Sequence, residues 1–162
     1  MRILLQRVTQ AQVNVDDRTV GAIGPGLLLL VGISSNDGEE VLEALAEKIT
    51  NLRIFEDAEG RMNLSIRDLL TSGESMGILV VSQFTLYGDI RKGRRPSFGQ
   101  AAAPEIARPL VDRFAERLAE TGASVECGEF GAHMQVSLVN DGPVTIWLDS
   151  DDLGQSSRGR HA

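Results

Sequence analysis

The segment Ser82-Gln83-Phe84-Thr85-Leu86 holds the residue types from which a small binding or catalytic site can be built. It ends an apolar stretch, residues 77–84, whose valines and isoleucines predict a buried strand. Hydroxyl, amide and backbone N–H groups at the end of such a strand can converge on one ligand. The same pattern is also typical of an ordinary strand terminus, so these residues alone leave both interpretations open.

A second segment, Asn140-Asp141-Gly142-Pro143-Val144-Thr145, lies between strands predicted at residues 134–139 and 144–148. A Gly-Pro pair in this position is often a turn and nothing more. An X–Pro peptide bond can also be cis, which fixes two carbonyl groups in a rigid backbone. Such an element can exclude a substituent without contributing a side chain, so Gly142 and Pro143 are candidates for either role.

The usual catalytic and metal-binding residues are scarce. The two histidines, His133 and His161, have no serine and acid at a spacing that suggests a catalytic triad, and G-x-S-x-G is absent. Cys127 is the only cysteine and no histidines are paired, so neither a metal site nor a cofactor is predicted. The glycines between residues 21 and 32 match no phosphate-binding loop. We interpret His133 as a surface or rim residue.

Length and composition favour a soluble, cytoplasmic protein. A chain of 162 residues with 42% hydrophobic and 24% charged residues fits one globular domain. The longest apolar run, Leu27 to Val31, is far shorter than the roughly 20 residues that cross a bilayer, so no membrane contact is predicted. The apolar stretch at the N-terminus is too short, and a charged residue follows it too soon, for a signal peptide.

One basic cluster contrasts with the formal net charge of −7. Acidic proteins are poor candidates for nucleic-acid binding, because phosphate affinity comes from basic surface. The cluster consists of Arg91, Lys92, Arg94 and Arg95, and a patch of this kind can override the net charge locally. A solvated loop and a polyanion contact are both compatible with it.

The elements that must position these segments follow an α+β pattern. Further strands are predicted at residues 3–8, 11–15, 19–23, 27–33, 52–55 and 125–130. The run at residues 27–33 does not alternate, which predicts a strand covered on both faces. Capping side chains at residues 34–37 precede a helix that reaches Leu52, and a second helix is predicted from Pro104 to Thr121 although Pro109 lies within it.

This pattern predicts an antiparallel or mixed sheet, curled into a small barrel, with two main helices. We expect one domain at residues 1–149. Residues 150–162 are rich in serine, glycine and arginine, and we expect them to form a disordered tail.

Taken together, the two motifs resemble those of the D-aminoacyl-tRNA deacylases, the D-tyrosyl-tRNA deacylase family, of the common bacterial and eukaryotic type. Other stretches are similar to that family as well: Gln6-Arg7-Val8, Gly60-Arg61-Met62-Asn63-Leu64, Arg94-Arg95-Pro96-Ser97-Phe98 and Met134-Gln135-Val136-Ser137-Leu138. The resemblance covers residues 1 to about 149. Both motifs, in this order and spacing, are specific.

The resemblance implies hydrolysis of the ester that joins a D-amino acid to the terminal adenosine of tRNA, and of glycine mischarged on tRNA. It implies a homodimer in which a Gly-cisPro pair enters the active site of the partner subunit. By carry-over, Gly142 and Pro143 would reject L-amino acids, and Arg7 would brace their turn. Glycine has no side chain, so this filter would not exclude it.

The resemblance also implies that Ser82, Gln83, Phe84 and Thr85 form the catalytic pocket floor, with Ala102 and Met134 lining the pocket. Two versions of the chemistry follow: the Thr85 hydroxyl attacks, or the 2′-OH of the tRNA helps to activate water. We favour the second, because no base lies near Thr85 in the sequence. The basic cluster would then contact phosphates of the aminoacyl-tRNA acceptor end.

Three other functions compete with this one. The first is an RNA- or nucleotide-binding module without turnover. The second is a related enzyme that removes L-alanine from mischarged tRNA, whose Gly-Pro bond is trans. The third is a generic esterase, which the lack of a nucleophile–base pair disfavours.

Overall fold

The structure is a computed structural model that describes residues 1–153 of the chain. In chain order the elements are β1 (Arg2–Val15), β2 (Arg18–Ile23), β3 (Gly26–Gly32), α1 (Glu39–Thr50), β4 (Phe55–Glu56), β5 (Met62–Leu64), α2 (Ile66–Thr71), β6 (Gly77–Ser82), a 3-10 turn (Phe84–Tyr87), α3 (Pro104–Ala119), β7 (Ser124–Cys127), β8 (Gln135–Asp149) and a final 3-10 turn (Ser150–Asp152). None of these helices is long and apolar enough to cross a membrane.

The main sheet is mixed and nearly closes into a barrel, as the sequence predicted. On one edge β1 pairs antiparallel with β3 and then with β2, and on its other edge it pairs with β8. Strands β3, β6 and β7 continue the sheet in parallel. Strands β2 and β7 then approach each other so closely that a Cβ on Gly21 would lie 2.7 Å from the carbonyl oxygen of Cys127.

Strands β3 and β6 are covered on both faces, which confirms the prediction for the Leu27 run. Leu27 and Leu29 belong to a core cluster that also contains residues of α1 and α3. The intervening Leu28 packs with Val13 and Leu79 in a second cluster inside the barrel. Residues of β6 divide in the same way, with Val80 in the first cluster and Val81 in the second, so β6 is packed on both faces almost to its end.

The two main helices are present, with a third, short one between them. Helix α1 begins after Gly38 without a side-chain cap, because Asp37 accepts the backbone N–H of Ser34 at 2.6 Å instead. Helix α3 continues through Pro109, which is exposed. Helix α2 was not predicted. Its N-terminus is a capping box in which Ser65 and Asp68 bind each other's backbone N–H groups.

Several predicted boundaries were wrong. Residues 3–15 form one strand rather than two, and the predicted strands at 134–139 and 144–148 are both part of β8. The strand predicted at residues 77–84 ends at Ser82. The strand predicted at residues 52–55 is reduced to a two-residue strand, β4, and β5 pairs with it.

The first residues of the predicted tail are structured. Residues Ser150–Asp152 form a 3-10 turn, and the Ser150 backbone N–H donates to the Met1 carbonyl at 2.8 Å. Leu153 packs against the main core cluster. The remaining residues of the predicted tail, 154–162, lie outside the described residues.

Candidate active site

An open cavity of about 540 Å³ lies where β6 ends, between α3 and the segment that leads into β8. Five of the predicted site residues line it: Ser82, Gln83, Phe84, Ala102 and Met134. Apolar side chains form most of the rest of the wall: Val31, Ile33, Val81, Phe98, Pro104, Ala107, Val111, Phe130 and Val136. A largely apolar cavity with a few polar groups at one end is the usual form of a small-molecule site.

The polar end of the cavity is built by a tight turn, residues 83–87, which we call the pocket turn. Gln83 leaves β6 and donates its backbone N–H to the Val31 carbonyl at 2.7 Å. The Gly88 N–H closes the turn on the Thr85 carbonyl at 2.9 Å. Gly32 lies beneath it, and a Cβ there would come within 3.1 Å of the Gln83 carbonyl oxygen. A glycine at the end of β3 thus lets the turn pack onto the sheet.

Side chains within the pocket turn point to two environments. Tyr87 is buried, and desolvation by burial, aided by the charge of Asp37, raises its pKa to about 12. Thr85 is exposed, and its hydroxyl oxygen accepts a hydrogen bond from the Gln83 side-chain amide. An amide N–H is a donor and cannot remove the hydroxyl proton. The arrangement therefore does not activate Thr85 as a nucleophile.

Two aromatic rings stand at the cavity wall. Phe84 is 58% exposed, and its ring meets that of Phe98 edge to face, with the centroids 5.0 Å apart. Exposed aromatic faces of this kind can stack on a nucleobase. Phe98 was not among the predicted site residues. Phe98 does belong to the Arg94–Phe98 segment that resembles the family, and this resemblance could have identified it as a site residue.

The basic cluster lies on a loop that joins the pocket turn to Phe98. Its ends are tied by Asp89 and Ser97, whose backbones exchange hydrogen bonds of 2.8 and 3.0 Å. Arg91 binds Asp89 with Nε and Nη2, at 2.9 and 2.7 Å, and these hydrogen bonds lower the pKa of Asp89 to about 2. Among residues 1–153, Lys92, Arg94 and Arg95 are exposed and have no acidic partner.

The Gly-Pro pair lies in a bulge of β8 rather than in a turn. Asn140 pairs with Val8 and Thr145 pairs with Gln6, so residues 141–144 all lie opposite Arg7 alone. We call residues 141–144 the Gly-Pro bulge. Its Gly142–Pro143 peptide bond is cis, and Gly142 has φ +115°. The strand thus continues on both sides while four residues protrude from its ladder.

Two side chains hold the Gly-Pro bulge. Arg7 is only 4% exposed. Its Nη1 donates to the Ile54 carbonyl at 2.5 Å, and its Nε lies 3.0 Å from Asp141 Oδ2, without hydrogen-bond alignment. Asn140 closes the base of the bulge, because its amide donates to the Arg7 and Val144 carbonyls, both at 2.9 Å. The role of Asn140 as a clamp was missed in the sequence.

The structure does not bring all predicted site residues together. Gly142 and Pro143 are not among the residues that line the cavity, and neither are Thr85, Arg7 and the basic cluster. His133 lies at the cavity wall. Within residues 1–153, no three His, Cys, Asp or Glu side chains are grouped so that they could hold a metal ion.

Comparisons with known proteins place this geometry in a family. Residues 4–149 match the model of the D-Tyr-tRNA(Tyr) deacylase family. The chain is 60% identical over 153 residues to a D-aminoacyl-tRNA deacylase of Thermomicrobium roseum, covering 94% of this chain and 96% of that one. It is 57% identical over 153 residues to a D-aminoacyl-tRNA deacylase of Thermotoga petrophila, covering 94% and 99%.

A solved structure has the same fold. The structure of the c-Myc DNA Unwinding Element Binding Protein is 42% identical, has a TM-score of 0.83, and the match covers 92% of this chain and 98% of that one. The family match extends over almost the whole described chain and includes both the pocket turn and the Gly-Pro bulge. The chain therefore belongs to the D-Tyr-tRNA(Tyr) deacylase family, a family of hydrolases that act on the aminoacyl-tRNA ester.

Proposed function

We propose that this protein hydrolyses the ester bond of D-aminoacyl-tRNA and releases a free D-amino acid and tRNA. The observation that carries the proposal is the pocket turn, which ends a buried strand at the floor of an open cavity. The first N–H groups of a helical turn have no partners within it. The N–H groups of Phe84 and Thr85 hold this position and can stabilise the oxyanion that forms when water attacks the ester.

The chemistry needs no side-chain nucleophile. Water adds to the ester carbonyl, the tetrahedral oxyanion collapses, and the 3′-oxygen of the tRNA leaves with a proton. The neighbouring 2′-OH of the tRNA helps to move that proton. An aminoacyl ester is labile, so positioning and oxyanion stabilisation suffice for catalysis. The hydrogen bond that Thr85 accepts from Gln83 supports this version over nucleophilic attack by Thr85.

Surfaces beside the cavity can bind the terminal adenosine and the acceptor end of the tRNA. We propose that the adenine ring stacks on Phe84 while Ala102 and Met134 border the bound nucleoside. Lys92, Arg94 and Arg95 would contact tRNA phosphates, which explains a basic loop on an acidic protein. Because aminoacyl-tRNA is the substrate, the cytoplasm is the proposed location.

Selection for D-amino acids is assigned to the Gly-Pro bulge of a second copy of the chain. The bulge does not line its own cavity, so in the proposed homodimer each cavity receives it from the partner. The Gly142 and Pro143 backbone would leave no room for an L side chain, whereas glycine would still be accepted. Among the described residues β8 pairs with β1 alone and Trp147 on it is 48% exposed, which supports β8 as part of the contact.

The first experiment compares hydrolysis of one tRNA charged with D-tyrosine or with L-tyrosine. We expect rapid loss of the D ester while the L ester is spared. Loss of neither ester, with tRNA still bound, would instead indicate a binding module, in line with the name of the structurally similar c-Myc DNA Unwinding Element Binding Protein. Loss of both would indicate a generic esterase. L-Alanyl-tRNA is tested in parallel. Its hydrolysis, with both tyrosyl esters spared, would indicate the related L-alanine-specific activity.

The homodimer is tested by mixing two defective chains. Gly142→Ala disturbs the bulge, and Ala102→Phe fills the cavity. With excess Ala102→Phe chain, almost every Gly142→Ala chain has a partner with an intact bulge. If the bulge acts in the partner's cavity, the mixture regains selectivity for the D ester. If the bulge acts within its own chain, the working cavities keep the damaged bulge and selectivity does not return.

A further inference from the structure

Arg2 makes a set of contacts that joins the pocket turn to the end of β8. Its Nε donates to Asp149 Oδ2 at 2.9 Å, and its Nη1 donates to the Leu86 carbonyl at 3.2 Å. Its guanidinium lies over the Tyr87 ring, 4.5 Å from the centroid, and 5.9 Å from the centroid of the Trp147 ring. The side chain is 28% exposed and that of Asp149 is 15% exposed, so the pair is partly shielded from water.

The Leu86 carbonyl is a group that the pocket turn cannot satisfy by itself. Carbonyls in the last turn of a helical segment have no N–H partner within it. A turn of four residues has few internal hydrogen bonds, so its position depends on contacts to the surrounding structure. Gly32, the cross-strand partner of Arg2, provides the space beneath the turn. Arg2 is the cation that holds the turn from outside.

We propose that Arg2 is a positioning residue for hydrolysis: by binding the Leu86 carbonyl while anchored to Asp149, it fixes the pocket turn so that the Phe84 and Thr85 N–H groups point at the reacting ester. Arg2 itself does not line the cavity and need not touch the substrate. The inference rests on the proposed function, because it assumes that these N–H groups stabilise the oxyanion. A small displacement of such donors lowers the rate of the chemical step more than substrate binding.

The test compares Arg2→Met with a matched control, Arg117→Met. Arg117 on α3 also forms an arginine–carboxylate pair, with Glu120 at 3.0 Å, and its side chain is 30% exposed. We expect Arg2→Met to lower kcat for D-tyrosyl-tRNA about tenfold while KM changes less than about twofold. Arg117→Met should keep the wild-type values. Arg2→Lys keeps the positive charge on a single nitrogen, and Asp149→Asn loosens the anchor. Both variants should show intermediate kcat values.

A second readout does not depend on activity. Amide hydrogen exchange at residues 83–88 should become at least about tenfold faster in Arg2→Met and stay unchanged in Arg117→Met. Trp147 is the only tryptophan, so its fluorescence reports whether the Arg2 contact is lost. If Arg2→Met does not fold, Arg2→Lys and Asp149→Asn are measured in the same two ways.

The outcomes separate the inference from the proposed function. If wild-type protein does not hydrolyse D-tyrosyl-tRNA, the proposed function fails, whereas faster exchange in the pocket turn would still support Arg2 as its anchor. If wild-type protein is active and the Arg2 variants match Arg117→Met in kcat and exchange, the inference alone is overturned. A rise in KM with kcat unchanged would also overturn it, because that result assigns Arg2 to binding.

Discussion

The pocket turn and the Gly-Pro bulge are both short backbone features, but they are held in different ways. The pocket turn follows β6, a strand covered on both faces, and its residues Gln83 and Phe84 line an open cavity. The bulge leaves the ladder of an outer strand and is held by the buried side chain of Arg7 and by Asn140. The difference suits a division of work: stabilising an oxyanion needs accessible donors, whereas excluding a substituent needs a rigid obstacle.

The largest expected effect comes from breaking the bulge at Gly142. A Cβ there would lie 2.6 Å from Arg7 Nη2, and φ +115° disfavours any side chain. Gly142→Ala should lower the ratio of D to L kcat/KM about 100-fold, because the displaced bulge no longer blocks L side chains. Steady-state hydrolysis of D- and L-tyrosyl-tRNA measures the ratio.

The control for Gly142→Ala is Gly122→Ala. Gly122 also has positive φ, at +90°, but nothing lies within 4 Å of an added Cβ. Gly122→Ala therefore has the conformational cost of a side chain at positive φ, but its Cβ does not collide with a neighbouring atom. An unchanged D to L ratio in Gly142→Ala, or an equal loss in Gly122→Ala, would contradict the role of the bulge.

Removing the Arg7 side chain should lower the stability of the protein. Arg7→Met deprives the Ile54 carbonyl and Asp141 of their cation, although Asp141 is 46% exposed and can be hydrated. We expect the free energy of unfolding to fall by about 2 kcal/mol in urea titrations. Arg18→Met, which breaks an exposed pair with Glu129, should cost less than about 1 kcal/mol. Equal losses of unfolding free energy in the two variants would show that Arg7 stabilises the protein no more than an exposed arginine does.

The basic cluster tests the pocket-turn side of this comparison. Reversing Arg94 and Arg95 to glutamate should raise KM for charged tRNA about tenfold and reduce the slope of log KM against log salt by about 2. Arg91→Gln is the control within the loop, because Asp89 already neutralises Arg91. Its KM should change less than about twofold. If KM and salt slope are unchanged in the double variant, the loop is only a solvated surface.

The smallest effect is expected at Thr85. Because the hydroxyl has no base beside it and accepts from Gln83, Thr85→Ala should keep kcat within about threefold of the wild-type value. Single-turnover hydrolysis of D-tyrosyl-tRNA measures this directly. A loss of 1000-fold or more would indicate that Thr85 acts as the nucleophile.

Local pattern was sufficient for much of the fold, but not for the pocket. The apolar runs that became β3 and β6 predicted buried strands. The polar residues at the end of β6 fitted a ligand site or an ordinary strand terminus, and only the family resemblance indicated a pocket floor there. The end of the strand itself was missed. Gln83 leaves β6 because its N–H binds Val31 and Gly32 makes room for the turn, and both partners are distant in the sequence.

Long-range contacts also explain what was missed in β8. Its two halves resemble separate strands around a Gly-Pro turn, yet one continuous strand, β1, pairs with both. Arg7 and Asn140 complete that pairing across more than a hundred residues, which no short-range pattern reveals. Helix α2 was missed for a different reason. Its six residues are too few for a helical period, and its capping box uses Asp68 in place of the usual glutamate or glutamine.

The positions of β6 and β8 in the sheet have a consequence at high temperature. β6 is paired on both edges and buried on both faces, whereas within the described residues β8 pairs with β1 alone. Elements with fewer partners open first in local unfolding. If hydrolysis depends on the end of β6 and selection on the bulge of β8, warming should not abolish both together. The protein would first become indiscriminate, attacking esters of L-amino acids, and only later become inactive.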